Sequence, residues 1–175
     1  AGTTIVQAAT ERALATTRVF SFTDGVHVTI TNMTIRHGNV SEGGYWSVDH
    51  GGGVFVGGIL TLIDTDIVSN TADDGAGAYV TGDATVSGGV FQDNNGWPSC
   101  CTFGGGLYVD GDLHLDGTQF LSNSVYFEGG GAFVLGNASI DSALFQGNRT
   151  SNSSGGGLFV DTGDSFITST LFISN

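Results

Sequence analysis

Lysine is absent from this chain of 175 residues, and only Arg12, Arg18, Arg36 and Arg149 carry fixed positive charge. Against them stand 17 acidic residues, which set the formal net charge at −13. That imbalance excludes nucleic acid and anionic membrane surfaces as partners, because phosphates would be repelled. Anionic polysaccharides are disfavoured too, unless cations bridge. No apolar run reaches the roughly 18 residues that a membrane-spanning helix needs, so no direct membrane insertion is expected. There is one proline, Pro98, and there are two cysteines, Cys100 and Cys101, side by side. A disulfide framework is therefore excluded. The pair forms a strained vicinal bond, stays as free thiols, or bonds to another chain. No His or Cys lies near it in sequence to complete a metal site. His27, His37, His50 and His114 show no metal-ligand spacing either.

Glycine is plentiful, with 30 residues, and it is periodic. Gly51 opens Gly-Gly-Gly-Val-Phe-Val. Related hexads open at Gly75, Gly104, Gly129 and Gly155, spaced 24, 29, 25 and 26 residues apart. A second signature closes each unit, an apolar residue followed three positions later by Asn. The pairs are Ile67/Asn70, Phe91/Asn94, Phe120/Asn123, Phe145/Asn148 and Phe172/Asn175. Between the two signatures the length is nearly constant. Length varies in the segments that follow, 71–74, 95–103, 124–128 and 149–154, so variation gathers at one corner. A repeat of this period marks a solenoid.

About 20 residues cannot hold two helices and a turn. Thr, Val and Phe favour strands, and Gly favours turns and close approaches. Period-two alternation gives three short strands per unit. The first carries Val54 and Val56 inward and Phe55 outward. The second carries Leu60 and Leu62 inward, and the third Ile67. Stacked units make an all-β, right-handed parallel β-helix with rungs about 4.8 Å apart. Three inward columns follow. One is Val56, Val80, Val109, Val134 and Val160. Another is Leu62, Val86, Leu115, Ile140 and Ile167. The third is Ile67, Phe91, Phe120, Phe145 and Phe172. The Asn residues form a fourth column whose amides bond from coil to coil.

Upstream the pattern is weaker. Residues 18–22 read as a first strand, Val28-Thr29-Ile30-Thr31 as a second, and Met33-Thr34-Ile35 followed by Asn39 as a third. Residues 1–17 form a partial coil or cap, with Thr4-Ile5-Val6 as a strand or 8–15 as a short helix. The expectation is one domain over 1–175 of about seven coils: a first coil and loop over 18–50, then five regular repeats over 51–175. The final Phe-x-x-Asn has no cap after it. That open edge predicts a piece of a longer solenoid, or ends that stack on further coils or other copies.

The Gly-Gly-Gly/Ala and Phe-x-x-Asn motifs, recurring in phase, resemble the repeats of chlamydial polymorphic outer-membrane proteins. They also resemble the wider set of β-helix repeats on bacterial surfaces. Thr29-Ile30-Thr31-Asn32-Met33-Thr34-Ile35-Arg36-His37-Gly38-Asn39 is similar to the stretch that opens such arrays. The resemblance implies a secreted or cell-surface protein with a structural or adhesive role, like an autotransporter passenger.

Three groups of residues are candidate sites. The first is an outward aromatic ladder of Phe55, Tyr79, Tyr108, Phe133 and Phe159, flanked by Tyr45, Trp46, Trp97 and Tyr126 on loops. Flat rings stack on sugars, so a glycan or a host or neighbouring cell surface is the matching partner. The alternative is that the ladder only stabilises the sheet. The second group is acidic: Asp83, Asp112 and Asp164 at one turn, with Asp110 and Asp161 close by. Stacked carboxylates repel, and calcium would relieve this; the alternative is solvated turn residues needing no cofactor. The third is Asp73-Asp74 with His50 or Asp49 one coil earlier, the nearest approach to the carboxylate pair of a glycosidase. A lyase needs a basic residue to abstract a proton, and Lys is missing. The reading leans against an enzyme, with carbohydrate binding or polysaccharide processing as the alternative to a structural or adhesive role.

Overall fold

The computed structural model describes residues 4–40, 49–96 and 102–175. They wind into a parallel β-helix of about six turns, where about seven coils were expected. The difference lies at the start. Thr4–Gln7 is a lone strand that pairs with Met33–Arg36, without the other strands of a turn. A short 3-10 helix, Arg12–Leu14, follows it, so the strand and the helix weighed for this region both occur.

All three inward columns stand in register. Val56 pairs with Val80, and Val109, Val134 and Val160 follow in successive coils. Leu62, Val86, Leu115, Ile140 and Ile167 do the same. So do Ile67, Phe91, Phe120, Phe145 and Phe172. The Phe rings of the third column stack nearly parallel, with centroids 4.7 to 4.8 Å apart. Phe91, Phe120 and Phe145 are fully buried. Each such burial contributes about 1.5–3 kcal/mol, so the column is a main stabilising element.

The strands differ from the expectation in two ways. In the first two turns the first and second strands run on as one, Phe20–Thr31 and Val54–Ile63. From the third turn they separate, as in Ala78–Val80 and Ala84–Ser87. A fourth, two-residue strand also follows each Asn: Thr71–Ala72, Asn95–Gly96, Ser124–Val125 and Arg149–Thr150. These are the first residues of the variable segments. Two residues are too few to show alternation, so only pairing between coils reveals them.

The Asn column is a buried hydrogen-bond ladder. Asn94 Oδ1 accepts from both the backbone N and the Nδ2 of Asn70, each at 3.0 Å. Asn123 Oδ1 takes the same two bonds from Asn94, at 3.1 and 2.9 Å. Asn148 and then Asn175 continue the pattern. Each Nδ2 also donates to the carbonyl of the apolar residue that closes the coil before, as Asn123 does to Phe91 at 2.9 Å. The amides of Asn70, Asn94, Asn123 and Asn148 thus give two bonds each, and these four residues lie buried. Upstream, Asn39 stands four residues after Ile35, one more than in the later units, and its backbone pairs with Thr71. Gly38 occupies the ladder position and donates its N–H to Asn70 Oδ1 at 2.8 Å.

The glycine signature is explained by the same ladder. Gly104 has φ +65°, a conformation that side chains resist. A methyl group on Gly106 would lie 2.5 Å from the Gly131 carbonyl oxygen and 3.2 Å from Asn123 Cγ. The third glycine of each unit therefore lets the backbone close over the amide ladder.

Asn123→Ala removes four bonds and leaves their buried partners unmatched, at a cost of about 3 kcal/mol or more. Asn137→Ala, on the exposed turn, should cost less than about 1 kcal/mol. Denaturant unfolding of the two variants checks this, and equal losses would contradict the ladder's role.

Candidate functional site

The outward aromatic ladder forms as expected. Phe55, Tyr79, Tyr108, Phe133 and Phe159 sit in register on successive coils. Ring centroids are 5.8, 4.5, 5.1 and 5.5 Å apart along the series. The planes differ by no more than 14°. Parallel stacking has a consequence for binding. Each inner ring has its faces against its neighbours and presents only an edge outward. Arg18 lies over Phe55, with its guanidinium carbon 5.4 Å from the centroid. Phe103 tilts onto Phe133 at 5.0 Å, and Phe133 is only 5% exposed, so it does not point freely outward.

A polar cluster gathers beside the ladder. The backbone pairing of His50 with Asp74 brings their side chains together, with Nδ1 3.4 Å from Oδ2. The His50 ring stacks on Tyr79 at 4.1 Å. Asp74 is buried, and its Oδ1 accepts the backbone N–H of Phe103 at 2.7 Å. Asp73 Oδ2 accepts from the Asp49 backbone at 3.1 Å. The sequence-derived juxtaposition of Asp73-Asp74 with Asp49 and His50 thus exists. Arg18 adds a bond from Nη2 to the His50 carbonyl at 3.1 Å.

Burial pushes the Tyr79 phenol up to about 12, aided by the negative charges of Asp110 and Asp74. Burial raises Tyr108 further, again with Asp110 beside it. Both phenols therefore stay protonated and serve as hydrogen-bond donors. Neither supplies a base near neutral pH. The cluster contains no lysine to abstract a proton.

The acidic turn column is bridged by backbone amides. Asp112 N donates to Asp83 Oδ1 at 2.9 Å, Asn137 N to Asp112 Oδ1 at 2.8 Å, and Asp164 N to Asn137 Oδ1 at 2.9 Å. These bonds form a second, exposed ladder. Asp110 instead lies by the tyrosines, and Asp161 is an exposed turn residue. Among the described residues no three His, Cys, Asp or Glu side chains are grouped to hold a metal ion.

Tyr45, Trp46, Trp97, Cys100 and Cys101 lie outside the described residues. Tyr126 stands apart from the ladder, at the corner that follows Asn123. Among the described residues it reaches the ladder through tilted contacts with Phe127, then Phe103, then Phe133. Sequence reasoning missed two surface grooves. One, of about 260 Å3, is lined by Asp83, Asp112, Asn137, Thr85, His114 and Ser139. The polar outward residues of the second strand could have signalled it. The other is at the corner and includes Arg12, 81 residues away from its bonding partner Asp93, a link that no spacing reveals.

Because the folded-state pKa of Tyr79 exceeds its ordinary value of 10.0, its stabilising share is complete below about pH 10 and is lost as pH rises through about 12. Asp110→Asn removes the second of these causes and should move the Tyr79 phenolate absorbance midpoint part of the way down toward 10.0, the ordinary value. An unchanged midpoint would contradict the part assigned to Asp110. Compared with family models, curated proteins and solved structures, the chain finds no match.

Proposed function

We propose that this chain is a secreted or cell-surface β-helical module with a structural or adhesive role. Its partners are a glycan or a neighbouring cell surface, with further coils or other copies meeting its ends. One observation carries the reading. The residues that define the repeat serve coil-to-coil contacts: the Asn amides bond along the axis and the third glycines admit them. Recognition is left to outward side chains and to the corner, where both sequence and length vary. A rigid rod with variable edges suits display and adhesion. The resemblance to surface-displayed repeats supports the same role.

Carbohydrate binding is the second reading. The protonated phenols of Tyr79 and Tyr108, beside His50, Asp74 and Asp110, favour it as polar groups on one outer face. Polysaccharide cleavage has less support, because those phenols are not bases at neutral pH.

Immobilised protein should retain cells or glycans while releasing no reducing sugar from a polysaccharide panel. Release that disappears in Asp74→Asn would overturn the structural and adhesive reading in favour of an enzyme.

A further inference from the structure

Two adjoining depressions lie on the corner face, next to the short strands that follow each Asn. The larger is about 440 Å3 and is lined by Arg12, Ser69, Asp93 and Ser122, together with Asn95 and Ser124. The smaller is about 140 Å3 and shares Asn95 and Ser124, adding Tyr126 and Ser151. The Ser124 hydroxyl donates to Asn95 Oδ1 at 2.7 Å across the shared rim. The 3-10 helix forms the far wall, where Arg12 Nη1 donates to the Asp93 carbonyl at 3.0 Å.

We propose that this corner groove binds a neutral, extended oligosaccharide, with Tyr126 as the stacking platform. The proposal rests on the adhesive reading with a glycan partner and gives that partner a site. Three observations carry it. First, the lining is what sugars need: hydroxyls, an amide and one carboxylate to bond vicinal diols, with an aromatic ring at one end. Second, the groove follows the rungs. Ser69, Asp93 and Ser122 occupy the same left-handed turn position in successive coils, with φ of 56, 52 and 55°. Asn95 and Ser124 are register partners. Rungs stand about 4.8 Å apart, close to the length of one hexose in an extended chain, so each coil meets about one sugar. Third, Tyr126 is half-buried at the end of the groove, and among the described residues its ring meets Phe127 tilted by 51° at 5.9 Å. The ladder tyrosines are stacked nearly parallel, at 7°. Sugar stacking thus moves from the ladder to Tyr126, one of the loop aromatics that the sequence set beside it.

Charge selects for a neutral chain. Among the described residues Arg12 is the one cation of the lining, and it stands beside Asp93, while the whole chain carries −13. A sulfated or uronate polymer would be repelled.

The test is titration of the full chain with neutral gluco-, manno- and galacto-oligosaccharides and with their uronate and sulfated counterparts, at low and high salt. At least one neutral series should bind, with little change on adding salt. Tyr126→Ala and Asn95→Ala should each weaken binding by about tenfold, a loss of the size of one stacking or hydrogen-bond contact. Phe166→Ala, on the exposed second-strand face, should stay within about twofold of wild type. Circular dichroism of each variant confirms that the coil is intact. If both groove variants bind as well as wild type, the site is overturned while adhesion stands. If wild type binds cells but no neutral sugar, the site is likewise overturned. If it binds neither sugars nor cells, the adhesive reading falls as well.

Discussion

One buried amide per coil, bonded to the amides of the coils on either side, underlies the rest of this structure. A solenoid closes no core within a single turn, so each coil must be held to its neighbours. Apolar burial provides the bulk of the attraction but has no direction along the axis. The Asn ladder provides the direction. Each Oδ1 receives two N–H groups of the adjacent coil, which sets axial position and register together. A slip by one residue would leave both donors unpaired in a dry interior, at a cost of several kcal/mol. The glycine signature is a steric corollary, since a larger residue at Gly106 would collide with a carbonyl of the next coil and crowd the amide.

Register, once set, determines the surface. Outward residues of the first strand must stack because their backbones are paired, and the aromatic ladder follows from that. The same stacking occupies the ring faces, leaving edges and phenol hydroxyls. His50 and Asp74 meet for the same reason, since their backbones form a bridge between coils. Stacked aspartates at the turn would repel, yet Asp83 and Asp112 each accept an amide N–H from the coil beyond. The exposed Asx ladder therefore resembles the buried one in geometry, but water competes for its bonds.

Much of this was legible because identical residues recur in phase. The Val56, Leu62 and Ile67 columns needed only alternation and a constant unit length. The approach of His50 to Asp74 followed from counting one coil. Other features left no such trace. Upstream the spacing changes: Asn39 falls one residue later after Ile35 than the signature requires, and Gly38 takes the ladder position. The corner strands are too short to alternate. The merger of the first two strands in the early turns depends on the turn between them, where pairing shifts between Phe22 and Val26. The corner groove needs Arg12, delivered by a segment whose path the repeat does not determine. Sequence periodicity reports what each coil shares with the next, and it is silent on what crosses the coils from outside.

The most direct measurement of the central claim is residue-resolved amide hydrogen exchange. The backbone N–H groups of Asn70, Asn94 and Asn123 each bond to a buried Asn oxygen of the following coil. They should exchange only through unfolding and rank among the slowest in the chain. Exchange at those three amides as fast as at the exposed turn residues Asp112 and Asn137 would contradict the account.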